Sequence, residues 1–188
     1  MKAKPSASVH VCALRHIPDV LERTGARHLI SAINAELAPV TPPSLSPDRH
    51  LKLDMHDIVE PCAGAFAPAE EHVLQLIEFV QAWDREAPLL IHCYAGLSRS
   101  TATAFITLCA LNPDAPEQAI AQALRRASDT AVPNRRFVGL ADQFLGRRGR
   151  MVSALDSMGP NRFAAECVPF GVDGHHGPGL PDSTDRAA

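Results

Sequence analysis

The feature that most constrains this chain is the stretch 88–111, where an apolar run, a short polar loop and an Ala- and Leu-rich run follow one another directly. Pro88-Leu89-Leu90-Ile91 suits a buried strand. Ser100-Thr101-Ala102-Thr103-Ala104-Phe105-Ile106-Thr107-Leu108-Cys109-Ala110-Leu111 suits a buried helix. Between them stand His92-Cys93-Tyr94-Ala95-Gly96-Leu97-Ser98-Arg99. A strand, a tight loop and a helix start bring successive backbone N–H groups and the positive end of a helix dipole onto one point, where an anion is favoured.

That environment favours a thiolate, so the spacing marks Cys93 as a candidate nucleophile. Arg99 can present its planar fork to two oxygens of one phosphate, which lysine cannot do. Gly96 permits a tight bend and a close approach of backbone to ligand. Ser100 can donate its hydroxyl to the sulfur. The competing reading of Cys93 is a buried core cysteine, and the flanking strand and helix weigh against it. Arg99 resists a purely structural reading because cations are disfavoured at helix starts.

The pattern His-Cys-x5-Arg-Ser resembles the signature loop of the cysteine-dependent protein tyrosine phosphatases, and the short chain is most similar to their dual-specificity branch. The resemblance implies an α/β fold: a central, mostly parallel sheet of four or five strands flanked by helices. It implies that Cys93 forms a phosphocysteine, that Arg99 clamps the phosphate, and that Tyr94, Ala95, Gly96, Leu97 and Ser98 line it. It further implies that His92 orients the cysteine, that Ser100 assists the departing thiolate, and that neither metal nor cofactor is needed. The implied substrate is a phosphorylated protein or a small phosphomonoester. The loop lacks the lysines typical of the superfamily's lipid phosphatases, which argues against a polyphosphoinositide. A rhodanese-like sulfurtransferase and a phosphate-binding module without turnover are the alternatives. The first usually lacks the His-Cys pair and the terminal Arg-Ser, and the second could dispense with an acid.

A leaving oxygen needs a proton donor. Leu51, Lys52, Leu53, Asp54 and Met55 alternate as a strand does, and a polar loop follows. Asp54 is expected within that strand, on the face opposite the leucines, and Asp57 just past its end. The family's acid follows a strand of this kind, with a helix and a strand between it and the nucleophile. Asp57 is therefore the expected general acid and, through water, general base. An ordinary loop or cap carboxylate is its bland reading. Asp54 and His56 are the alternatives.

Elsewhere, 8–14 and 28–33 read as strands around a short helix ended by Gly25, a β-α-β unit that favours parallel pairing. The proline-rich stretch 39–49 reads as a surface loop. Val73, Leu76, Ile77, Val80 and Trp83 recur at helical spacing over 68–83, with Trp83 on the core face. Asp114 and Glu117 suggest a capping box for a helix over 116–128. The Pro-Asn-x-x-Phe segment at 133–137 is similar to one the family places beside its signature loop, so Asn134 either braces that loop or caps a helix running to about 145. The cluster Arg147, Arg148, Arg150 reads as a solvated helix end.

One catalytic domain is expected over 1–158, then an extension over 159–188 that is disordered after about residue 171. A net charge of −3 gives no electrostatic case for nucleic acid or an anionic membrane. No window reaches the ~18 apolar residues of a membrane span, and the first residues lack a secretory core. Five scattered cysteines without metal spacing fit a reducing cytoplasm.

Overall fold

The computed structural model describes residues 8–178. The chain opens with β1 (Ser8–Ala13), α1 (Ile17–Thr24) and β2 (His28–Ala32). Pro18 sits in the first turn of α1, where its missing N–H costs nothing. Gly25 closes that helix in the left-handed region at φ 67°, returning its N–H to Leu21 O. There follow β3 (His50–Leu53), α2 (Glu70–Ala82), β4 (Leu89–Cys93) and α3 (Arg99–Leu111). The last elements are α4 (Glu117–Ala127), α5 (Arg135–Phe144), α6 (Arg150–Asp156) and β5 (Phe170–Asp173).

The strands form one sheet in the order β3-β2-β4-β1-β5, parallel except for β5, which lies antiparallel on β1. Parallel strands covered on both faces read as continuous apolar runs, and β2 and β4 are buried at every position. One face carries a cluster that includes Val73, Leu76, Ile77, Val80, Trp83, Phe105 and Phe137, so Trp83 is a core residue. The other face packs Cys12, Leu29 and Leu90 against Ile17, Val20 and Leu21 of α1. Strand β4 is central, which places Cys93 at the middle of the sheet's carboxyl edge. Crevices of open α/β sheets form there.

Several local expectations are corrected. Strand β3 ends at Leu53, so Asp54 lies beyond it and accepts a hydrogen bond from Ala35 N at 2.7 Å. Asp114 does not cap α4, whose N-cap is Pro116 without a side-chain bond. Glu117 instead turns inward, 3.0 Å from Arg147 Nη1 and 3.1 Å from Arg150 Nη2. Arg147 is thus not solvated: it is 8% exposed and also donates to Pro113 O and Cys109 O. The charged run hid a helix, α6, whose start is held by Asp142 accepting from Gly149 N and Met151 N.

The chain past residue 171 is ordered rather than disordered over its described part. Strand β5 runs to Asp173, and Asn112 donates to Gly174 O at 3.1 Å while accepting from His176 N at 2.9 Å. Residues 1–7 and 179–188, on which the leader and tail expectations also fall, lie outside the described residues. No helix among the described residues is long and apolar enough to cross a membrane.

Candidate active site

The loop between β4 and α3 is held from outside by its carbonyls. Tyr94 O accepts from Leu14 N, Ala95 O from Cys167 N, Leu97 O from Val132 N and Ser98 O from Asn134 N, at 3.1, 2.9, 2.9 and 3.3 Å. Three separate segments, at Leu14, at Val132 and Asn134, and at Cys167, therefore pull these carbonyls outward, which favours an inward turn of the N–H groups. Gly96 N–H points at Cys93 Sγ from 3.2 Å, and Ser100 Oγ lies 3.2 Å from the same sulfur. Gly96 has φ 73°, and a Cβ on it would meet Cys167 Sγ and fall 2.8 Å from Cys12 C and 2.9 Å from Ala13 N. A side chain there would displace the loop.

Arg99 is 6% exposed, and its Nη1 donates to Met55 O at 2.9 Å. Its Nε is buried without a hydrogen-bond partner, and no carboxylate pairs with it among the described residues. An unpaired buried cation is costly unless an anion arrives to meet it. A cavity of about 340 Å³ opens at this point, lined by Asp57, Cys93, Tyr94, Ser98, Arg99 and the segment 161–164. Tyr94 and Phe163 stand 61% and 91% exposed at its rim. Arg162 anchors that segment through a two-point contact with Asp129.

Of the three candidate acids, the cavity takes in Asp57 alone. Its Oδ1 accepts from Ser98 Oγ at 2.6 Å and Asn134 Nδ2 at 2.9 Å, which leaves Oδ2 for other work. Asp54 is occupied with Ala35 N, and His56 Nδ1 accepts from Phe66 N at 3.0 Å to close its own loop. Asn134 meets the signature loop through its backbone N–H, which donates to Ser98 O, and not through its side chain. Its Oδ1 caps α5 by accepting from Phe137 N, while its Nδ2 braces the Asp57 loop.

His92 is fully buried, and burial lowers its pKa to about 4, as it does that of His50. Its Nδ1 donates to Cys93 O at 3.1 Å. Its Nε2 lies 2.5 Å from Ser31 Oγ, which lies 2.7 Å from His50 Nε2. Thr41 Oγ1 is 2.8 Å from His50 Nδ1. Sequence reasoning missed Ser31 and His50. Their signal was a serine inside a fully buried strand and a histidine at the start of the next one.

Both rings are protonated more readily in the unfolded chain than in the folded one. The stability their neutral forms carry is complete above pH ~6.5 and is lost as pH falls towards 4. At pH 5 the loss is on the order of 2 kcal/mol per ring. Denaturant midpoints should therefore drop between pH 7 and pH 5, and drop less in His50→Gln, which has no ring to protonate.

No family model matches the chain, and neither does any curated protein. Solved structures do. The phosphatase PTP-2 of Cydia pomonella is 19% identical, with 72% of this chain and 84% of that one covered at a TM-score of 0.57. The chain has the protein tyrosine phosphatase fold. DUSP15 is also 19% identical, over 84% of this chain and 91% of its own, at 0.56. Human DUSP28 is 17% identical, over 77% and 90%, at 0.57. At such identities the likeness carries the fold, and the chemistry rests on the protein tyrosine phosphatase fold's contents here.

Proposed function

We propose that this protein hydrolyses phosphomonoesters, as a protein tyrosine or dual-specificity phosphatase, through a phosphocysteine. The observation that carries the reading is the buried Arg99 guanidinium, without a carboxylate partner, in the same cavity as Cys93 Sγ, at a loop four of whose carbonyls are drawn away. Cys93 Sγ attacks phosphorus and the ester P–O bond breaks, while Asp57 Oδ2 delivers a proton to the leaving oxygen. Water then attacks phosphorus, Asp57 takes its proton, and the P–S bond breaks as Ser100 donates a hydrogen bond to the departing thiolate. Arg99 and the loop N–H groups hold the three remaining oxygens, where charge builds up. The substrate is a phosphorylated protein or a small phosphomonoester, and a reducing cytoplasm keeps the thiolate available.

The assignment of Asp57 is tested by leaving group. Asp57→Asn should lower kcat/KM for phenyl or alkyl phosphates by roughly 10²–10⁴-fold and barely change it for para-nitrophenyl phosphate, whose leaving group departs as an anion unaided. Asp54→Asn should behave like the unsubstituted protein with both. A leaving-group-dependent loss in Asp54→Asn alone would move the proton donor three residues upstream. Thiosulfate-to-cyanide transfer measured alongside distinguishes a sulfurtransferase, and binding of phosphate without turnover distinguishes a capture module.

A further inference from the structure

Behind the signature loop, four polar side chains, one from each of β2, β3 and β4 and one from the loop before β3, form an unbroken chain through the apolar sheet: Thr41, His50, Ser31 and His92. Its direction follows from its inner end. A backbone carbonyl only accepts, so His92 Nδ1 carries the proton that meets Cys93 O. Nε2 of that neutral ring then has only a lone pair, so the Ser31 hydroxyl donates to it. Ser31 Oγ, having spent its proton, accepts from His50 Nε2–H. The neutral His50 ring is left with a lone pair on Nδ1, which accepts a hydrogen bond from the Thr41 hydroxyl. Every proton position is fixed and each bond polarises the next.

We propose that Ser31 and His50 are positioning residues for Cys93: the Ser31 hydroxyl, itself held by His50, fixes the orientation of the His92 ring from which Nδ1–H holds the Cys93 carbonyl, and so keeps the Gly96 N–H aimed at the sulfur. The reason lies in the two ends of the ring. Nδ1–H meets the Cys93 carbonyl only while the ring keeps its plane, and the hydrogen bond between Ser31 Oγ and Nε2 holds the far end in place. Without it the ring can turn, and the first peptide of the loop would lose its tether inside a buried site. The proposal rests on Cys93 as the nucleophile, but its test does not require turnover.

Ser31→Ala removes the hydroxyl that joins the two rings at the cost of one atom. Alkylation of Cys93 by iodoacetate, followed by mass spectrometry at fixed neutral pH, reads the sulfur directly. The charged and titratable groups around this path are Lys52 near His50, Arg99 near His92, and Cys12 and Cys167 near Cys93, all unaltered in the variant. Ser31→Ala should slow alkylation roughly 10- to 100-fold, by analogy with the loss on removing the partner behind a metal-bound imidazole. For a phosphatase, kcat with para-nitrophenyl phosphate should fall by a similar factor. A merely structural role gives the opposite sign, because a loosened fold exposes Cys93 and speeds its alkylation.

His50→Phe should reproduce the loss, and His50→Gln, whose amide can still donate to Ser31, should recover most of it. These two variants carry the test if Ser31→Ala does not fold. Alkylation unchanged within twofold, faster alkylation, or equal loss in His50→Phe and His50→Gln would overturn the proposal. Slowed alkylation in a protein that shows no phosphatase turnover at all would uphold the relay and reject the proposed function instead.

Discussion

Cys93→Ser should abolish turnover of para-nitrophenyl phosphate, by on the order of 10⁴-fold or more, while the protein keeps its fold and still binds phosphate or vanadate. Serine is smaller than cysteine and fits the buried position without strain. Its hydroxyl is not ionised by a helix start and a few N–H groups, so the attacking electron pair is lost. The oxyanion apparatus survives, because Gly96 N–H and Arg99 belong to the main chain and to another side chain. Steady-state rates of the two proteins, with binding followed by protection of the remaining structure against heat, check both halves. Retention of a tenth of the activity would mean that the sulfur is not the nucleophile.

Arg99→Lys should cost nearly as much as Arg99→Ala, about 3 kcal/mol or more in transition-state stabilisation from kcat/KM. The structure gives the reason. One arm of the guanidinium is already committed to Met55 O, which fixes the plane, and the buried Nε is a second donor awaiting an oxygen. A lysine ammonium reaches one partner or the other but cannot hold a carbonyl and two phosphoryl oxygens in one plane. Substantial activity in Arg99→Lys would make Arg99 a source of field and remove the bidentate account.

The two predictions draw on the part of the molecule that was most legible in sequence. The strand, loop and helix around Cys93 are contiguous, and their chemistry follows from residues within a dozen positions of one another. Helix α2 was legible for the same reason, since its periodicity needs no knowledge of what it packs on. Pairings between distant positions were not. Arg147 in a run of arginines looks identical whether it is hydrated or buried against Glu117, and only the packing of α4 on α6 decides between them. The strand β5 is four residues with a glycine, too short and too polar to announce itself. Its order comes from β1 and from Asn112. Asn134 resisted a single role because an amide has two ends, and the fold uses both.

The same distinction governs the relay. His50 and Ser31 are nineteen residues apart, and both are apart from His92 by more, so only the β3-β2-β4 order brings the three side chains into line. Their identity as polar residues in apolar strands was visible; their connection was not.

The proposed phosphocysteine is the most direct object of measurement. In Asp57→Asn, transfer from para-nitrophenyl phosphate to Cys93 needs no acid, whereas hydrolysis of the intermediate still needs a base, so the intermediate should accumulate. Acid quench during turnover, followed by peptide mass spectrometry, should find one phosphoryl group on the peptide that holds Cys93, and none in the Cys93→Ser, Asp57→Asn double variant. Turnover with no phosphoryl group on Cys93, or with one on any other residue, would contradict the mechanism.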